Sequence, residues 1–519
     1  MIHILKKYAF LLFLIPFFLI LYKIFSVRAL SFGCFDDCAN YMTGYFVLHG
    51  KKLYTEVFYN HILGMTYLSF LVQKFHNSIN IYDLVLTHRK VILIFSFLFD
   101  FYIIKRFSWA GFFFVLFYET TKFYTFGDRF LAESIIIYAV VILAGFILDL
   151  KNNKKLSTSE YIFSAILGVF IIFFREPYIP LTFLLLAIIF FHKEDKKKRM
   201  VSLGIFLVLV FLILLCIDIP AFIFQDFTSN LSTSIGGEVG RNKLLGVGFF
   251  AEFFYPVIVL FYGKWNPFHF YLIGVSIAFL TSLYFTFIKT KKWFTCFMIF
   301  LILGVSNMRY TIPGQTFYEA YHMQIFIGIF LFTALYLVLE LKNKFRIILL
   351  SIIFAAWTYA VFNPNSYLFD KHNLQEDLLT NFGKEMHIGT IVHDLSKPTD
   401  TLFLDGADDL IYWQAELQSP YKYSWYTAIM PQVQVYRTER LAMFKNTPPD
   451  FYYDFCTKSA PLHSSLPEFV KDSFQQLYDN GKPSCLYVKK TKLPEITKSQ
   501  WEKGKAGFFA LPQSETESR

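Results

Sequence analysis

The apolar positions of this chain run together instead of alternating with polar ones. Stretches rich in Phe, Leu, Ile and Val occupy 8–27, 84–104, 107–122, 128–149, 160–175, 177–192, 200–220, 268–288, 293–307, 321–341 and 345–362. Many approach the roughly 20 apolar residues that carry a helix across a bilayer. Short basic clusters punctuate them: Lys105 with Arg106, Lys151 with Lys154 and Lys155, and the groups at 193–199, 289–292 and 342–346. Cations packed beside apolar runs mark cytoplasmic loops. If all five clusters are cytoplasmic, the semi-apolar stretches 61–75 and 249–262 are not full crossings, because each would invert everything after it. Both read as helices lying in the interface. The pattern predicts a polytopic α-helical membrane protein of about eleven spans with a cytoplasmic N-terminus. The alternative, about thirteen spans, breaks the charge rule over part of the chain.

Lys6 and Lys7 precede the first run, and no small-residue cleavage site follows it, so that run is expected to stay as a span. Arg175, Glu176 and Pro177 interrupt one long apolar stretch and predict a short turn at the outer surface. Past residue 362 the character changes: Asp, Lys, Pro and Ser return and no spanning run remains. Residues 363–519 are expected to form a small extracytoplasmic α/β domain, with strands at 401–404 and 485–488 and a helix at 408–417. Residues 1–362 form the transmembrane domain, and its first outer loop spans 28–83.

Composition sharpens this picture. Of 519 residues, 55% are hydrophobic and only 17% charged, too few charges for a soluble protein of this size. The net charge of +10 suggests a nucleic-acid partner until the Lys and Arg are located. They sit in the short loops, so no nucleic acid is expected. Cys216 and Cys296 lie in apolar runs, whereas Cys34, Cys38, Cys456 and Cys485 fall in segments placed outside, where disulfides form. Cys456–Cys485 is the favoured pair and Cys34–Cys38 the less favoured one, since spacing alone does not establish a bridge.

The first outer loop holds the candidate chemistry. It reads Asp36-Asp37, then Tyr41, Leu48-His49-Gly50, Leu53-Tyr54, Tyr59-Asn60-His61 and an apolar stretch. Two carboxylates just past a span are costly unless they meet water, a cation or a substrate. The ordered set resembles the first extracytoplasmic loop of GT-C fold glycosyltransferases of the O-mannosyltransferase and aminoarabinose-transferase type. Asp37 stands where that family usually has glutamate, Leu53 where it has proline, and Ile62-Leu63-Gly64 where it has a proline-rich segment. The resemblance implies an inverting transfer of sugar from a polyprenyl-phosphate donor to an extracytoplasmic glycan, lipid or protein acceptor. Asp36 would be the general base, with Asp37 beside it and Asp128 as a second acidic residue. The donor phosphate would be met by Arg129, Arg175, Arg309, Tyr321 and His322, with Arg241 and Lys243 as further cations. His61 and Tyr54 would touch the acceptor or shape the loop. No cofactor is implied, and a divalent metal stays open. Adjacent helical residues point about 100° apart, so the two aspartates should differ in role. The plainer reading is that Asp36 and Asp37 only cap a helix, and that Asp128 caps the next span.

Two rivals stand beside this reading. One is a transporter or flippase for lipid-linked sugars, which should show polar residues in mid-span and paired broken helices. Here charges cluster at span ends, apart from a few such as Asp100, and no internal repeat is found. The other is an O-antigen polymerase or ligase, whose main functional loop falls late in the membrane region, whereas this acidic pair falls in the first loop.

Overall fold

The computed structural model describes residues 2–510, apart from 35, 193–195, 230–253, 262–265, 307–320, 406–409, 424–432, 455–465, 480 and 507–508. The chain divides into two compact units, each assembled from three segments. One comprises Met1–Arg28, Arg89–Cys216 and Arg241–His372; the other comprises Ala29–His88, Ile217–Gly240 and Asn373–Arg519.

The first unit is helical, as expected of a helical membrane protein. Each of the eleven apolar runs lies largely in helix, but the helices vary in length. Among the described residues, Glu133–Lys151, Pro267–Ile288, Tyr321–Glu340 and Asn343–Phe369 are long and apolar enough to cross a membrane. A broken pair, Lys196–Leu214 with Ile219–Ser229, makes a fifth if counted as one span. Thr158–Phe174, Glu176–Phe190 and Trp293–Val305 are apolar but shorter. The turn expected at Arg175 is present, as the 3-10 segment Glu176–Tyr178.

Hydrophobicity all round a helix places it centrally. Glu133–Lys151 is buried from Glu133 to Leu150. It packs on Gln324–Glu340, where a Cβ on Gly328 would lie only 2.1 Å from Ile137 Cδ1. Asn343–Phe362 instead exposes Ile347, Ile348 and Phe354, the mark of a helix facing lipid. At one end of the bundle Asp149, 1% exposed, is met by Arg106 at 2.8 Å, Lys154 at 3.1 Å and the Tyr336 hydroxyl at 2.6 Å. Two of the basic clusters are thus tied to one buried carboxylate, which such a group requires.

The second unit is built differently. Five strands, β1 (Leu402–Leu404), β2 (Phe451–Tyr453), β3 (Phe474–Asp479), β4 (Lys482–Lys489) and β5 (Phe509–Ala510), form one sheet in the order β1-β2-β4-β3-β5. β1 and β2 are parallel, with Leu402 opposite Phe451; the other pairings are antiparallel. The helix expected at 408–417 is observed as Leu410–Ala415, against the longer helix Leu374–Leu395 that Asn373 caps. The core gathers Phe403, Tyr421, Tyr436, Phe444, Tyr452 and Phe474, together with Phe58 from the segment 29–88. Burying each such side chain contributes about 1.5–3 kcal/mol. Phe58 of the segment 29–88 therefore shares a hydrophobic core with the C-terminal residues.

Residues 61–75 form the helix Gly64–Phe75, 12 residues long. At 1.5 Å per residue it extends about 18 Å, short of the roughly 30 Å apolar thickness of a bilayer. In the other stretch expected to lie in the interface, Tyr255–Ile258 is helical, and 249–253 with residue 262 fall outside the described residues. The cysteines correct an expectation: Cys34 and Cys38 are bridged, with Cα atoms 5.3 Å apart. Cys38 sits in the first turn of Asp36–Leu48, and Cys34 lies two residues before that helix. Cys485 is also disulfide-bonded, and Cys456 lies outside the described residues.

Candidate functional site

Asp36 and Asp37 open the helix Asp36–Leu48, where the helix dipole favours negative charge. Their environments differ. Asp36 is partly exposed, whereas Asp37 is 0% exposed and its Oδ2 accepts the Tyr41 hydroxyl at 2.9 Å. Tyr41 is held from several sides. Its carbonyl accepts Gln73 Nε2 at 2.8 Å, and its ring lies 4.4 Å from that of His88. His88 Nδ1 is 2.8 Å from the Leu84 carbonyl, which only accepts, so the proton sits on Nδ1. Nε2 then accepts the Ser69 hydroxyl at 2.9 Å, and Ser69 Oγ accepts Gln73 Nε2 at 3.1 Å. Asp37 thus belongs to a buried network, and Asp36 precedes it on the same helix with part of its surface exposed.

The loop after the helix is shaped by an unusual backbone. Tyr54 has φ 68°, a left-handed conformation that costs a non-glycine residue about 1–2 kcal/mol. Its hydroxyl donates to the His61 carbonyl at 2.9 Å. Gln225 clamps the same loop: Nε2 donates to the Tyr54 carbonyl, and Oε1 accepts the Tyr59 N–H at 2.8 Å. The Tyr59 hydroxyl in turn donates to Asn40 Oδ1 at 2.6 Å, tying the loop to the helix that carries Asp36. The His61 ring is partly exposed, and one of its nitrogens lies within 4.8 Å of an Asp226 carboxylate oxygen. Tyr54 and His61 are thus fixed beside the helix of the acidic pair.

The remaining candidates belong to the helical unit. Asp128 caps no helix: Glu133–Lys151 begins five residues later, and its N-cap, Ala132, makes no side-chain bond. Asp128 is buried, with Oδ1 3.6 Å from Nε of the equally buried Arg129. Arg175 Nε donates to Glu133 Oε1 at 3.0 Å, and Arg175 Nη1 is 3.9 Å from Glu176. The rings of Tyr321 and His322 lie 3.9 Å apart, and the His322 carbonyl accepts the Tyr178 hydroxyl at 3.3 Å. Arg241, Lys243 and Arg309 lie outside the described residues.

A second polar centre of the helical unit drew only a passing notice in the sequence. Lys122 Nζ meets Glu119 at 2.6 Å, Ser96 Oγ at 2.9 Å and Tyr138 Oη at 3.1 Å. The Tyr138 hydroxyl donates to the other Glu119 oxygen at 2.6 Å. Asp100 is 0% exposed, and neither of its oxygens has a hydrogen-bond partner among the described residues. Glu119 and Lys122 stand one turn apart near the end of an apolar run, so they read as ordinary span-end charges. Gln73 had a weak signal, as a polar residue in an apolar stretch. Gln225 had none, since it lies 166 residues from Tyr59. No protein-family model matches the sequence, and no curated protein matches it.

Proposed function

We propose that this chain is an integral-membrane glycosyltransferase of GT-C type. It moves a sugar from a polyprenyl-phosphate donor to an extracytoplasmic acceptor, with about eleven spans and a cytoplasmic N-terminus. The observation that carries this reading is the division between the two aspartates. Asp37 is buried and engaged by Tyr41, whereas Asp36 is partly exposed at the start of the same helix. A general base must reach the proton that it takes, and the partly exposed Asp36 suits that role better than the buried Asp37. In the proposed step the acceptor hydroxyl attacks the anomeric carbon and its proton passes to Asp36. The bond to the lipid phosphate breaks, and that phosphate leaves with the electron pair. Asp37, Tyr41 and His88 position the base and touch no substrate. Arg129, Arg175 and Arg309 supply cations for the departing phosphate, and Tyr321 and His322 line the donor side. Asp128 orients Arg129.

The test is complementation of a gene deletion, read by mass spectrometry of cell-envelope glycans and glycolipids. The wild-type gene restores the glycan lost on deletion. Asp36→Asn lowers it by about 10²–10⁴-fold, the usual contribution of a general base, at unchanged protein level. Full restoration by Asp36→Asn refutes the assignment.

One observation favours the transporter reading: the buried centre at Asp100, Glu119 and Lys122. Ionisable groups inside a membrane bundle are rare and usually functional. Under that reading Asp100→Asn abolishes the glycan phenotype and Asp36→Asn leaves it intact, the reverse of the result expected for the transferase.

A further inference from the structure

The second unit contains a cleft of about 460 Å³ that plays no part in the chemistry assigned to Asp36. Its lining comes from the helices Asp36–Leu48, Gly64–Phe75 and Leu410–Ala415 and the turns that follow them. The volume falls in the roughly 300–1,000 Å³ range of small-ligand sites, yet the lining is mostly polar, unlike a drug-type pocket.

The groups on the wall narrow the ligand. Trp413 contributes an indole to the lining, and Asn77 and Gln414 contribute amides. Gln414 Nε2 is anchored on Thr390 Oγ1 at 3.2 Å, which fixes that amide. His49 Nδ1 is 2.8 Å from the Tyr45 carbonyl, so Nε2 is the acceptor that remains. Glu416 adds one carboxylate, and among the described residues the lining holds no lysine or arginine. A phosphate, sulfate or uronate would find no lysine or arginine here, only the imidazoles of His49 and of His76, which Asp83 already engages at 2.9 Å, and would meet Glu416. A lipid chain or an apolar peptide anchor would find little beyond Leu48 and Ile79. A neutral sugar suits the site: its C–H face stacks on the indole, and its hydroxyls bridge amides, imidazole and carboxylate.

The backbone at Glu416 adds an independent sign. It follows the helix Leu410–Ala415 at φ 55°, in a turn closed by Glu416 N–H to the Trp413 carbonyl and Leu417 N–H to the Tyr412 carbonyl. This is the helix-ending motif in which glycine ordinarily occupies that position. The same motif after Asp36–Leu48 does use glycine, Gly50 at φ 87°. Strain kept where glycine would relieve it points to a use for the side chain.

We propose that this cleft binds a neutral oligosaccharide, stacked on Trp413 and hydrogen-bonded by Asn77, Gln414, His49 and Glu416. The proposal does not rest on sugar transfer at Asp36 and holds equally for a transporter. Its test uses the full chain in nanodiscs, which keeps sugar-headed detergents away. An array of neutral and acidic oligosaccharides is probed first, and the best neutral binder is then titrated calorimetrically. Neutral glycans are expected to bind, and acidic ones at least tenfold more weakly. Glu416→Gly should weaken binding about tenfold while the thermal midpoint stays level or rises, which separates lost contact from lost folding. Trp413→Leu should abolish binding. An array on which no neutral glycan binds, acidic glycans that bind as well as neutral ones, or wild-type affinity in both variants overturns the proposal.

Discussion

Lys51 shows how one residue of the segment 29–88 is held to the C-terminal part of its unit. Its ammonium donates to the Ser419 carbonyl at 2.9 Å and the Tyr421 carbonyl at 3.5 Å. Burial pushes its pKa down to about 8, against a smaller opposing pull from Glu56. An unfolded lysine titrates near 10.4. Between these values the unfolded chain binds the proton and the folded one releases it, so stability rises as pH increases from about 8 to about 10. Buried tyrosines reverse the trend above that window. Burial first, then nearby carboxylates or phenols, raises Tyr45, Tyr421 and Tyr436, so unfolded tyrosines ionise near 10 while the folded ones keep their protons. Thermal unfolding followed by intrinsic fluorescence should peak within the window, and Lys51→Met should remove the rise and leave the fall. Identical profiles for the two proteins would contradict this. None of it was legible in the sequence, where Lys51 is one cation of a pair in a polar loop. The adjacent aspartates were half legible. Helix geometry assigned them different roles, but only Tyr41 and its neighbours distinguish the buried one from the accessible one.

At the scale of elements, the helix Asp36–Leu48 owes its position to a close crossing with Gly64–Phe75. A Cβ on Gly44 would lie 2.5 Å from Ser69 Oγ and 2.8 Å from the Phe70 nitrogen. Backbone does not yield as a flexible side chain does, so Gly44→Val must separate the helices. Overpacking of this kind costs about 1–3 kcal/mol, and the shift would also move Asp36 and Ser69. Gly50 offers an internal comparison. Nothing lies within 4 Å of its would-be Cβ, so Gly50→Ala costs only the left-handed backbone, about 1 kcal/mol. Gly44→Val should therefore lower the thermal midpoint more than Gly50→Ala and should reduce glycan complementation with it. The opposite order would remove the tight crossing from the account. The helices here were readable because apolar runs and polar interruptions announce them. Of the five strands, β1 and β4 were found from their β-branched and aromatic residues. β2 and β3 are short or carry Gln and Asp, and the helix Leu374–Leu395 has too little apolar character to stand out.

For the whole molecule, the composition of the second unit restricts the membrane topology. Its three segments, 29–88, 217–240 and 373–519, form one compact body, and in the proposed topology all three lie on one side of a bilayer. The chain then crosses an even number of times between residues 89 and 216, and again between 241 and 372. The eleven runs meet this condition, with six helices in the first interval and four in the second. A crossing at 61–75, as in the thirteen-span alternative, would divide 29–88 between two sides, so the compact unit favours the proposed eleven. Counting only the longest helices breaks the even count, because 241–372 contains three of them, Pro267–Ile288, Tyr321–Glu340 and Asn343–Phe369. Under the proposed eleven-span topology Trp293–Val305, with 13 residues and about 20 Å of rise, crosses as well, in thinned bilayer or beside its neighbours. Single cysteines in a Cys216→Ser background can test this with a membrane-impermeant thiol reagent on intact cells. Lys52→Cys and Lys482→Cys, both at exposed positions of the second unit, should label from outside. Lys155→Cys and Lys292→Cys, exposed in the basic clusters, should label only after permeabilisation. Outside labelling at Lys292→Cys would show that Trp293–Val305 does not cross, and the even count would have to be met by another helix.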